Sequence, residues 1–137
     1  MAGITLANTN LNVPQSSTLT DAVVYQESRP WLPATILFNN VGIGNGFCTD
    51  LVRYYRTDNF VGDAKTWLRQ ARELGYGIGN IPMAGSIYIS TKGIYGHVAY
   101  VLEVYPDSFK VVEQNVKGKW IVSERIVQMA ENQQFIY

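Results

Sequence analysis

The stretch "GNGFCTDLVRYYR", from Gly44 to Arg56, holds Cys48, the only cysteine in the chain of 137 residues. Gly44 and Gly46 precede it. Phe47, Leu51, Val52 and Tyr55 then recur at helical spacing on one apolar face. This pattern predicts a helix over 47–55 with Cys48 in its first turn. A thiol attacks only as thiolate, and the unpaired N–H groups and dipole of a helix start favour that anion. Free cysteine is also a common small apolar core residue, so Cys48 taken alone leaves both roles open.

His97 is the only histidine. It opens the β-branched run "HVAYVLEV" directly after "KGIYG", and an imidazole at a strand mouth is a natural general base near neutral pH. A surface or core histidine is the alternative there. Glu113 lies in "FKVVEQN". Alternation along a strand puts Val111, Glu113 and Asn115 on one face and Lys110, Val112 and Gln114 on the other. A glutamate set among valines on a flanked strand is at least half-buried, which is costly unless it is paired. Its partner is either an imidazole, completing a Cys–His–carboxylate set, or a cation on a neighbouring strand, Lys119 or Arg125. The chain order is thiol at a helix start, imidazole at a strand start, acid or amide on the next strand. That is the layout of papain-like cysteine hydrolases, whose sites are assembled from distant positions.

The elements that must position these groups are legible around them. Residues 1–39 are rich in Thr, Asn, Ser and Gln and read as an N-terminal arm leading into the core. One short element is expected near 19–26, and Trp31-Leu32, bracketed by Pro30 and Pro33, is an anchor. Asn39 to Gly46 is a turn-rich loop. A second helix is expected from an N-cap at Asp63, with Ala64, Trp67, Leu68, Ala71 and Leu74 on one face and Gly75 as its stop. After Gly85 the segments "SIYIS", "HVAYVLEV", "FKVVEQ" and "KWIVSERIV" read as strands. Hairpin-length intervals separate the last three, with turns at Pro106-Asp107 and Lys117-Gly118. The expected class is α+β: N-terminal helices packed on one face of an antiparallel meander, with residues 40–137 as the single catalytic domain.

Composition narrows the function. Hydrophobic residues make up 47% and charged residues 16%, the balance of a globular chain. Lys+Arg and Asp+Glu are 11 each, so no net charge draws the chain to nucleic acid or to an anionic membrane. One cysteine and one histidine leave no internal disulfide, no Cys-cluster zinc site and no histidine-rich metal site. No metal and no cofactor are therefore expected. The first residues have neither a basic nor an apolar signal region, and no apolar run has the length of a membrane span. Synthesis in the cytoplasm without a signal peptide is the expectation.

With these motifs in order, the sequence resembles the CHAP family, the cysteine, histidine-dependent amidohydrolases and peptidases. The resemblance is carried by "GNGFCTDLVRYYR", "GDAKTWLRQARELGYGIGNIPMAGSIYI", "YGHVAYVLEV" and "FKVVEQN", over about residues 40 to 127. It implies a papain-like fold, with Cys48 as nucleophile, His97 as general base, Glu113 orienting the histidine and Asn115 as an auxiliary polar group. It also implies bacterial peptidoglycan as substrate, cut at the N-acetylmuramoyl–L-alanine amide or within a stem or cross-bridge peptide. Some relatives bind calcium through an acidic loop before the cysteine. The corresponding "NNVGIGNGF" has no carboxylate, so no calcium is expected there. Asn45, Tyr95 and Trp120 are candidate substrate contacts. A phage lysin, a tail-associated lysin or an antibacterial effector acting on the cell wall fits this reading, with virion proteins or an immunity protein as partners. A non-catalytic phage module on the same fold and an amidase of small amides are the alternatives.

Overall fold

The computed structural model describes residues 42–137. The expected arm over 1–39, with its element near 19–26 and its Trp31 anchor, lies outside the described residues. The first helix, α1, spans Cys48–Tyr55 and buries Cys48, Leu51, Val52 and Tyr55. Phe47, expected on that buried face, is instead the exposed N-cap residue. A phenylalanine cannot cap with its side chain, so Asp50 reaches back in its place. One carboxylate oxygen of Asp50 accepts the N–H groups of Asn45 at 2.9 Å and Phe47 at 3.1 Å. This ties the loop to the first turn of the helix. At the other end, Arg56 donates to the carbonyls of Gly85, Ile136 and Tyr137 and pairs with Asp58 at 2.7 Å. One guanidinium thereby fixes the exit of α1 against the last strand.

Asp63 starts the next element through its backbone, without a side-chain cap. A 3₁₀ turn over Ala64–Thr66 comes first, and α2, Trp67–Glu73, follows it. Gly75 ends the helix at φ 86°. Tyr76 N–H bonds the carbonyl of Ala71 at 2.8 Å, and Gly75 N–H bonds that of Arg72 at 3.3 Å. That pair of bonds requires the left-handed turn glycine supplies. Trp67 and Ala71 are buried as expected, whereas Leu74, at the helix exit, is 57% exposed.

Six strands form one antiparallel sheet: β1 (Ile78–Gly79), β2 (Ile87–Ser90), β3 (His97–Val104), β4 (Ser108–Gln114), β5 (Val122–Gln128) and β6 (Gln134–Ile136). Their spatial order is β1-β6-β2-β3-β4-β5. The meander holds from β2 to β5. The chain then returns so that β6 lies between β1 and β2; the short strands β1 and β6 were not revealed by the sequence pattern. β5 begins at Val122 and not at Lys119, because Trp120 turns the backbone to φ 74°. Val98, Tyr100 and Val112 face the helices, together with Val52, Leu51, Tyr55 and Trp67. The alternate residues Ala99, Val101, Phe109 and Val111 form a second apolar layer with Phe135 and Tyr137. α1 packs across β3 and β4, which carry the other two candidate groups.

Candidate active site

The start of β3 is seated by its preceding loop. Lys65 N–H, in the 3₁₀ turn, donates to the carbonyl of Tyr95 at 2.9 Å. Gly96 has φ 73°, and a Cβ there would lie 2.7 Å from the Lys65 nitrogen. Only glycine allows this approach, and the next residue is His97. The ladder between β3 and β4 runs toward the site as far as Tyr100↔Val112. Beyond that last pair, side chains take over: His97 Nε2 lies 2.9 Å from Glu113 Oε1.

Glu113 is fully buried. Its two oxygens also receive Arg125, with Nε at 2.6 Å from Oε2 and Nη2 at 2.9 Å from Oε1. Burial pushes the carboxyl up. The hydrogen bonds from Arg125 and His97 and their charges outweigh this and hold it below its ordinary value. The two alternatives read from the sequence, an imidazole or a cation as partner, are thus both realised. A carboxylate has lone pairs enough for a bidentate guanidinium and an imidazole at once.

His97 joins this carboxylate to Cys48. Burial alone would lower its pKa. Hydrogen bonds to Cys48 and Glu113, with their charges, raise it to about 9. With Nε2 committed to Glu113, Nδ1 is the nitrogen left for the thiol. Cys48 is 9% exposed and opens α1, where the first N–H groups have no intrahelical acceptor. Imidazole, carboxylate and guanidinium therefore form one hydrogen-bonded series drawn from β3, β4 and β5, and the thiol that opens α1 acts on its imidazole end.

The CHAP-domain family matches the chain over residues 39–115, more than half its length, and the match contains Cys48, His97, Glu113 and Asn115. The chain belongs to the CHAP-domain family. It is 39% identical over 72 residues to staphylococcal secretory antigen ssaA2 of Staphylococcus aureus, a match covering 51% of this chain and 27% of that protein. Among solved structures it is similar to an N-acetylmuramoyl-L-alanine amidase from Staphylococcus aureus, with TM-score 0.61 and 32% identity, over 66% of this chain and 30% of that one. It is also similar to Ly7917 in its complex with the hydrolysis product of MDP, with TM-score 0.55 and 25% identity, over 72% of this chain and 60% of that one.

Of the other residues singled out in this CHAP sequence, Asn115 does not join the series. β4 ends at Gln114, and Asn115 follows at φ 74°, exposed. The alternation that put it beside Glu113 holds only while the backbone stays extended. Asn45 is exposed, and its backbone, not its amide, is engaged by Asp50. Trp120 lies against the loop before Cys48. Its N–H donates to the carbonyl of Gly46 at 3.2 Å, and a Cβ on Gly46 would come within 2.7 Å of its indole. Lys119 sits with its ammonium 4.5 Å from the Phe47 ring centroid, away from Glu113. Tyr95 is exposed on the loop that leads to His97. Among the described residues no group of three or more His, Cys, Asp or Glu side chains is placed to hold a metal ion. Gln114 escaped the reading of the sequence. Its only signal was a polar side chain on the helix-facing side of a central strand.

Proposed function

We propose that this chain is a cysteine amidohydrolase that cuts an amide bond of bacterial peptidoglycan, using Cys48, His97 and Glu113 in the arrangement of papain-like hydrolases. The observation that carries this is His97, hydrogen-bonded to a buried, Arg125-held carboxylate, with Cys48 close enough to help raise the imidazole pKa. A histidine needed only for packing requires neither partner. The likeness to a staphylococcal N-acetylmuramoyl-L-alanine amidase supports the substrate class.

The reaction proceeds in two halves. The thiol proton passes to His97, and the sulfur attacks the scissile carbonyl carbon. The carbonyl π electrons move to oxygen, and the Cys48 backbone N–H faces the resulting oxyanion. The C–N bond then breaks as His97 protonates the leaving amine, which departs and leaves a thioester. His97 next takes a proton from water. The hydroxide adds to the thioester, and the C–S bond breaks to give the carboxylic acid and free Cys48. Glu113 keeps the imidazole oriented and stabilises its cationic form throughout. Trp120, stacked on Gly46, and Tyr95 are the proposed walls of the substrate groove. The site of action is the cell wall, reached as a phage lysin, a tail-associated lysin or an exported effector.

Mass analysis of purified walls after digestion is the test. New amino and carboxyl ends in wild-type digests are expected, with none from Cys48→Ala or from protein alkylated by iodoacetamide. Intact walls after wild-type treatment, or digestion by Cys48→Ala, would overturn the reading. In the first case a non-catalytic module on the same fold is the one to pursue.

A further inference from the structure

Gln114 is fully buried, beside Glu113 at the end of β4, and its amide is fully engaged. Oε1 accepts the N–H of Ile43 at 2.9 Å. Nε2 donates to the carbonyl of Ile43 at 3.2 Å and to that of Phe47 at 2.8 Å. Phe47 is the N-cap of α1, immediately before Cys48. The backbone of 43–47 thus rests on one side chain from the strand that also supplies the acid. The loop is shaped for this contact. Gly42, at φ 79°, leaves out a Cβ that would lie 2.3 Å from Gln114 Oε1 and 2.4 Å from the Trp120 carbonyl. Ile43 forms part of the apolar layer over Val112 and Val122, so a polar side chain has been placed where an apolar one would pack.

We infer that Gln114 is a positioning residue for the nucleophile: it fixes the loop and N-cap that launch Cys48, while its neighbour Glu113 fixes His97. Adjacent strand residues point to opposite sides and rise by roughly 3.3 Å per residue. A single dipeptide, Glu113-Gln114, therefore sets the register between thiol and imidazole. Glu113 does so through the base, and Gln114 through the helix start. An apolar residue at 114 could fill the volume but could not hold the Phe47 carbonyl in place. The bond to that carbonyl needs a donor, and this separates glutamine from glutamate at the same position.

This inference rests on the reading of Cys48 as a nucleophile, and its test does not depend on the natural substrate. In the full chain, Gln114→Met keeps volume and removes all three bonds. Gln114→Glu keeps an acceptor for Ile43 and loses the donor to Phe47. The rate of Cys48 alkylation by iodoacetamide is followed against pH, at temperatures below each variant's melting point. Both variants are expected to lose the wild-type pH profile and to approach that of a simple thiol. Where walls are digested, kcat should fall about 10²-fold with KM unchanged, the scale of a misplaced catalytic group. Gly42→Ala attacks the same contact from the loop and should act alike, which keeps the test open if neither Gln114 variant folds. A wild-type alkylation profile and kcat in folded variants, whatever the loss of stability, would reduce Gln114 to a structural role. A changed profile in a protein that digests no wall would support the positioning role while removing the proposed substrate.

Discussion

Glu113 is where structural and chemical demands meet on one side chain. Its fully buried carboxylate satisfies Arg125 through two bonds and His97 through a third. Glu113→Gln keeps the shape and removes the charge. It leaves Arg125 with a neutral partner and lets the imidazolium lose its counterion. The expected result is a kcat about 10²-fold lower or less still, measured on wall fragments. The charge also helps hold the pKa of His97 at about 9, and His97 must be protonated to release the amine. The alkaline limb of kcat/KM is therefore expected near pH 9 in the wild type and nearer the ordinary histidine value of 6.5 in Glu113→Gln. An unmoved limb would show that the carboxylate does not tune the base. Asn115→Ala should leave both kcat and the limb nearly unchanged, since its side chain is exposed beyond the strand end.

At the scale of elements, the β4–β5 loop links strand chemistry to the nucleophile loop. Asn115 and Trp120 both have φ 74°, so the backbone turns out of the sheet at each end of this loop. For a bulky residue such a conformation is strained, and here the Trp120–Gly46 contact holds it. Trp120→Gly relieves the backbone and removes the indole. Its melting temperature should stay close to wild type, while KM rises by up to about tenfold with kcat unchanged, the scale of one aromatic contact. A fall in kcat with unchanged KM would instead place Trp120 in support of Cys48. The same loop marks where legibility in the sequence ended. The amphipathic period located α1, and β-branched runs located β2 to β5, because those patterns report burial on one face. The placing of Cys48 at a helix start and His97 at a strand start could be read in the same way. Positive φ at Trp120 could not, since a bulky aromatic does not announce it and it goes with close packing against Gly42 and Gly46; at Asn115, a residue type that tolerates it, it falls just past the end of β4. β1 and β6 are two and three residues long, too short for any period. The role of Gln114 depends on which loop lies over it, a fact of tertiary structure alone.

At the scale of the whole molecule, the site couples stability to pH. His97 has a folded pKa of about 9 against an ordinary 6.5, so the folded state binds its proton more tightly than the unfolded chain does. The stabilisation is complete below 6.5 and disappears as pH rises through 9. The difference corresponds to at most about 3 kcal/mol. Glu113 acts on the other side. Its carboxyl lies below the ordinary 4.5, so its contribution is present above that value and is lost as pH falls through the folded pKa. The unfolding free energy from urea titration should thus be highest between about pH 5 and 6.5. Subtracting the curve of His97→Gln from that of the wild type isolates the alkaline slope, which should fall between 6.5 and 9. Cys48→Ala, which removes one of the two partners that raise the imidazole pKa, should retain only part of this slope. Parallel curves for wild type and His97→Gln over that interval would mean that the imidazole gains nothing from its partners on folding. The arrangement from Cys48 to Arg125 would then be a matter of geometry without energetic coupling.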